Sequence, residues 1–204
     1  MTISYPLSLP STPGIKDFRL MAITPTAITT SPFSGAAQVY LHPSSWWEAE
    51  VTLPPMSRAD AEEWIGTLTA LYGTYGTFLM GDPDGTTARG IATGTPLVNG
   101  ASQIGTSLVS DGWTVSQTGI LKRGDYIQIG QFMYKILNDA NSDGSGNATF
   151  DVFPNLRGHA NNAPIIVSSA KSRWRLVGNR FEWSTTDAQH YGITFLCRED
   201  VGAA

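Results

Sequence analysis

The sequence predicts a mainly β protein with one principal helix, and three observations carry that expectation. Gly, Pro, Ser and Thr are abundant while charged residues make up only 15% of the 204-residue chain. That balance suits many short strands with frequent turns, whereas a helical bundle needs more Glu, Lys, Leu and Ala. Period-two alternation recurs along the chain, most clearly in Trp46-Trp-Glu-Ala-Glu-Val-Thr-Leu53. This run places Trp47, Ala49, Val51 and Leu53 on one face and Trp46, Glu48, Glu50 and Thr52 on the other, the signature of a half-buried strand. Helical periodicity is strong in one stretch, where Ala61, Trp64, Ile65, Leu68 and Leu71 form a single apolar stripe.

The elements follow in order. The first 35 residues mix short apolar groups with Pro, Ser and Thr, which predicts an extended arm and edge strands. Pro54-Pro55 stops the Trp46–Leu53 strand. Ser57-Arg-Ala-Asp60 then matches a capping box, in which a hydroxyl accepts from the third helical amide and a carboxylate reaches back. Asp60, Glu62 and Glu63 complement the positive helix start, and Gly73 is placed to end the helix. A strand at Thr77–Met80 and a turn at Gly81-Asp-Pro-Asp-Gly85 come next. Residues 86–112 are Gly-rich and nearly uncharged, and read as a linker with short strands. Strands are expected at Leu121–Ile129, Phe132–Leu137 and Ala148–Phe153, enough for a small barrel or sandwich. Further strands are expected near Trp174–Leu176, at Phe181–Ser184 and at Tyr191–Arg198. The simplest organisation is an outer domain built from residues 1–85 and 166–204, interrupted by a β domain over 86–165, because insertions are tolerated at loops.

Composition narrows the function classes. The formal charge is −4, and no segment is strongly basic: residues 1–85 carry three basic and eight acidic groups, 86–165 five of each, and 166–204 five and four. Tight nucleic-acid binding needs Lys/Arg clusters that release counterions, so it is not expected. The single cysteine, Cys197, excludes an internal disulfide framework and suits a reducing compartment. The start of the chain has no basic leader and is broken by Pro6, Pro10 and Pro13, so secretion through a signal peptide is not expected. The uncharged stretch Leu20–Trp47 is interrupted by Pro25, Pro32 and Pro43, so membrane insertion is not expected either.

Each candidate for chemistry has a plainer structural reading. Glu48 and Glu50 repeat at about 6.8 Å on one strand face, near the separation of glycosidase carboxylates, but an alternating polar face produces such pairs routinely. Asp139, Asn141, Asp143 and Gly144 match the first half of a calcium loop, yet Phe150 stands where a bidentate carboxylate is required, so a hairpin turn is favoured. His42, His159 and His190 show no metal-ligand spacing, and Cys197 sits in a strand as a small apolar residue. Tyr126, Phe132, Tyr134, Phe150 and Phe153 suit a barrel core better than a base-stacking platform, because their segment has no net charge. No enzyme activity, metal or cofactor is expected. Trp46 lies on the polar face beside the glutamates, which suits either a contact between subunits or partial burial under the N-terminal arm.

Two stretches carry a resemblance. Ser31-Pro-Phe-Ser-Gly-Ala-Ala-Gln-Val-Tyr40 leads into Trp46-Trp-Glu-Ala-Glu50 and the Met56–Tyr72 helix, and Gly124-Asp-Tyr-Ile-Gln-Ile-Gly130 leads into Phe153-Pro-Asn-Leu-Arg157. Together they resemble the distal tail proteins of long, non-contractile-tailed (siphovirus-type) bacteriophages. The resemblance implies a discontinuous, β-sandwich-like ring (belt) domain with an inserted, small oligonucleotide/oligosaccharide-binding-like β-barrel. It also implies a hexameric ring of this subunit at the virion tail tip, made in the host bacterial cytoplasm. Its partners would be the tail tube protein on one side and hub, receptor-binding or fibre proteins on the other, with phage DNA leaving through the lumen. On this reading Glu48 and Glu50 face the lumen, where like charge discourages a passing polyanion from sticking, and Trp46 contributes to the ring interface. The alternative is a carbohydrate- or receptor-binding module in which the barrel recognises a glycan.

Overall fold

The computed structural model describes residues 3–186 and 190–202. Along the chain run β1 (Leu7–Ser8), β2 (Asp17–Ile23), β3 (Thr26–Thr30), β4 (Ala37–Leu41), β5 (Trp46–Thr52), α1 (Arg58–Thr69), β6 (Phe78–Met80), β7 (Gly94–Val98) and β8 (Ile104–Trp113). They are followed by β9 (Tyr126–Ile129), β10 (Phe132–Ile136), β11 (Ala148–Arg157), β12 (Ile165–Ile166), β13 (Ser172–Leu176), β14 (Trp183–Thr185) and β15 (Tyr191–Glu199). The protein is mainly β, with α1 the one helix among the described residues.

The strands form two large sheets. A seven-stranded sheet runs in the order β1-β6-β13-β15-β5-β2, with β14 also paired to β15. A six-stranded sheet runs β12-β9-β10-β11-β8-β7. A bridge between Leu97 and Pro164 brings its two ends together, so this second sheet is a nearly closed barrel. Closure removes most of the unpaired edge that an open sheet would present. The pair β3-β4 stands apart as a two-stranded sheet.

The alternation of β5 explains how the first sheet is covered. Trp47, Ala49, Val51 and Leu53 are buried, while Trp46, Glu48, Glu50 and Thr52 are half-buried on the opposite face. The inner face receives Ala61, Trp64, Ile65 and Leu68 from α1, together with Phe78, Trp174, Phe195 and Cys197. Tyr126 and Met133 of the barrel belong to this same core. A separate core fills the barrel, built on Leu108, Trp113, Ile127, Tyr134, Ile136 and Phe150. Burying a Leu or Phe contributes about 1.5–3 kcal/mol each, so both cores are substantial sources of stability.

Several expectations change here. The hydroxyl of Ser57 makes no capping bond to the helix; it donates to Asp60 Oδ2 at 2.9 Å, which occupies both members of the expected capping box with each other. Residues 86–112 are not a linker with short strands. They hold β7 and the first nine residues of β8, and β8 pairs with both β7 and β11 in the barrel. A weak alternating pattern and a high glycine content hid them, because Gly94 and Gly112 lie where the facing backbone approaches too closely for a Cβ. The strand expected from Leu121 starts at Tyr126, since the Asp125 amide turns back to Lys122 O and the Asp125 carboxylate accepts from the amides of Lys122, Arg89 and Gly90. Gly73, at φ +68°, does lie just past the helix in the left-handed conformation that favours glycine.

Candidate assembly surface

The outer face of the seven-stranded sheet is set out by its register. Across β2, β5 and β15, Met21, Glu48 and Arg198 share one row, and Arg19, Glu50 and Leu196 the next. Asp17, Thr52 and Thr194 follow, while Ile23 pairs with Trp46 at the opposite end. The two glutamates are thus neighbours along one strand face and do not stand on opposite walls of a cleft.

Both glutamates already have partners. Trp46 Nε1 donates to Glu48 Oε1 at 3.0 Å, and the guanidinium of Arg198 stacks over the Trp46 ring, 4.0 Å from its centroid. Such a cation–π contact contributes about 0.5–1 kcal/mol at an exposed site. Arg19 lies 3.7 Å from Glu50. The face is therefore charge-balanced: Arg19 and Arg198 neutralise the acidity that Glu48 and Glu50 suggest when read along one strand. On this face Trp46 packs between a carboxylate and a guanidinium.

The other candidates are dispersed. Cys197 is fully buried, with its thiol 3.6 Å from Ala49 O, and burial pushes its pKa up, away from the thiolate. His159 Nε2 meets Tyr134 OH at 2.7 Å, and burial lowers the imidazole pKa to about 4. His42 stacks edge-on against Tyr40, and His190 is exposed immediately before β15. In the Asn138–Asn147 loop, Asp139 accepts from Arg123 N, Asn141 from Gly119 N, and Asp143 from the amides of Ser145 and Asn147. These three residues diverge to separate partners, which is hairpin chemistry. Tyr134 and Phe150 are buried inside the barrel, Tyr126 and Phe153 pack against Trp47 at the junction, and Phe132 is half-buried beside Arg157 and His159, so these five do not line up as one exposed platform.

Two features escaped sequence reasoning. At the junction of sheet and barrel, the buried Glu199 carboxylate receives Ser172 Oγ at 2.8 Å, the Trp47 amide at 3.3 Å and Arg157 Nη2 at 3.4 Å. Burial raises the Glu199 pKa, and the hydroxyl and guanidinium oppose that rise. Nothing in the local pattern marks this cluster, because its members lie on four strands or their flanks that are distant in sequence. The second feature is the pairing of β3 with β4 into a hairpin whose ten strand residues are all exposed; the arm expected over the first 35 residues takes in β3 but not its partner. Its signal was present as Ser31-Pro-Phe-Ser-Gly35 between two alternating runs, a turn signature flanked by strands.

No protein-family model matches the chain, and no curated protein matches it. Among the described residues, no helix is long and apolar enough to cross a membrane.

Proposed function

We propose that this protein is a structural subunit of a phage tail tip, a distal tail protein whose copies close into a ring joining the tail tube to hub and fibre proteins. The observation that carries the reading is the incomplete first sheet. Among the described residues its edge strand β2 pairs with β5 alone, and its outer face presents a Trp–Arg stack. Exposed edges invite pairing with another chain, and a closed ring satisfies every such edge at once. Trp and Arg are also the residues that concentrate binding energy at protein interfaces.

On this reading the seven-stranded sheet with α1 is the belt domain, and the barrel is the inserted domain of oligonucleotide/oligosaccharide-binding type. The six strands exceed the five of that fold, so its kinship rests on size and closure. The charge balance around Glu48 and Glu50 favours Trp46 as an interface residue over the two glutamates as a repelling wall. Electron imaging of the purified protein tests the proposal: closed rings are expected. Trp46→Asp is expected to shift the protein to smaller species on a sizing column, and unchanged elution would remove Trp46 from the interface.

A further inference from the structure

The β3–β4 hairpin has no reason to be stable alone. An isolated two-stranded hairpin is marginal in water, and three strands or a packed face are normally required. Here all ten strand residues are exposed, including Ile28, Val39 and Leu41 at 61–65% exposure, and Phe33 at the tip is 99% exposed. Register puts Ile28 directly opposite Val39, with Leu41 further along the same side. No charged residue occurs between Leu20 and Trp47, so nothing in the arm guards its edges against pairing.

A complementary surface lies at the other end of the same sheet. The hairpin leaves β2 after Ile23 and rejoins β5 at Trp46, and those two residues pair at one end of the sheet. At the opposite end, about 20 Å away along β5, Thr52 pairs with Thr194 and Trp183 with Ile193. From the Glu50–Leu196 row to that end run two adjoining hollows that share Glu182 and Thr194, one lined by Val177, Phe181 and Leu196 and the next by Trp183, which together make a groove. Trp183, Leu196 and Val177 are each about half exposed, at 48%, 48% and 50%. The Phe181 and Trp183 rings stand 5.7 Å apart. Among the described residues β14 is paired to β15 alone, and none of them pairs along its outer edge. The charges at the groove are matched internally: Arg180 with Glu182, and Glu50 with Arg19. A groove with its charges already satisfied, beside a strand edge that no described residue pairs, fits an uncharged, apolar β-arm.

We infer that the β3–β4 hairpin of one copy docks in the Phe181–Trp183 groove, along β14, of the next copy of this chain. An arm at one end and its receptor at the other make a heterologous, head-to-tail contact, which closes into a ring when the rotation per copy allows. Size supports the assignment. Stable interfaces bury about 800 Å² per partner, and Phe33 at the tip, an aromatic that can bury about 150–250 Å², adds to the Ile28, Val39 and Leu41 side of the arm in supplying that area. The inference rests on the ring reading and gives it a specific contact.

The test uses two full-length variants, one in the arm (Ile28→Asp with Val39→Asp) and one in the groove (Trp183→Asp with Leu196→Asp). All four positions are exposed, so circular dichroism should show both variants folded as the wild type is. By sedimentation over a range of concentrations, wild type is expected to assemble, and each variant alone to remain a single chain. Mixing the two variants is expected to give dimers and nothing larger, since one intact arm and one intact groove remain to meet. A groove variant that assembles normally while the arm variant does not would overturn the inference, because the arm would then pair with itself or another surface. If both variants form rings like the wild type, the arm contact fails and the ring reading survives. A wild type that never leaves the single-chain state overturns both.

Discussion

Glu50 and Glu199 both face an arginine, yet burial separates their energetic roles. The Arg19–Glu50 side chains are 74% and 40% exposed, so solvent screens the pair and its loss should cost less than about 1 kcal/mol. The Arg157–Glu199 side chains are 17% and 1% exposed, and removing one partner strands a charge away from water. Glu199→Ala is therefore expected to destabilise the protein by about 3–5 kcal/mol, read as a fall in the urea midpoint, while Glu50→Ala leaves that midpoint nearly unchanged. His159 adds a pH dependence. Its folded pKa of about 4 lies below the unfolded value of about 6.5, so between those pH values the unfolded chain binds the extra proton. This contribution is complete above about pH 6.5 and is lost as pH falls toward 4. His159→Gln is expected to flatten that part of the stability–pH curve, and a curve identical to wild type would refute the assignment.

At the scale of elements, the helix shows where local pattern and structure part. Its buried stripe of Ala61, Trp64, Ile65 and Leu68 is as the spacing predicts, because a period of 3.6 allows one apolar face and the sheet needs one to cover it. Its start is different. Ser57 bonds to the Asp60 side chain and not to the helix amides, so Ser57→Ala is expected to cost well under the roughly 1 kcal/mol typical of a capping residue. Thermal melts of this variant beside Leu68→Ala, for which about 2–5 kcal/mol is expected, would check the contrast. In the barrel, β8 was hidden by its glycines and exposed polar residues, while β9, β10 and β11 were legible from compact apolar runs.

Across the whole molecule, the sheet and barrel share a core and not merely a linker. Trp47 of β5 donates to Met133 O at 3.1 Å and meets Phe153 edge-on with centroids 4.8 Å apart, and Arg173 N donates to Gln131 O at 3.0 Å. Loss of either unit would expose apolar surface and unpaired polar groups on the other. Calorimetry is accordingly expected to show one unfolding transition, and two resolved transitions would mean that the junction couples the units weakly.

The sequence by itself determined the mainly β character, the helix and the two faces of β5, since each follows from the periodicity of residues that are near neighbours along the chain. Tertiary structure alone decided that Arg19 and Arg198 neutralise the Glu48–Glu50 face, that Glu199 meets Arg157, and that the hairpin stands clear at one end of the sheet. Those outcomes depend on which strands pair and in what register, and register brings together residues that no local pattern connects.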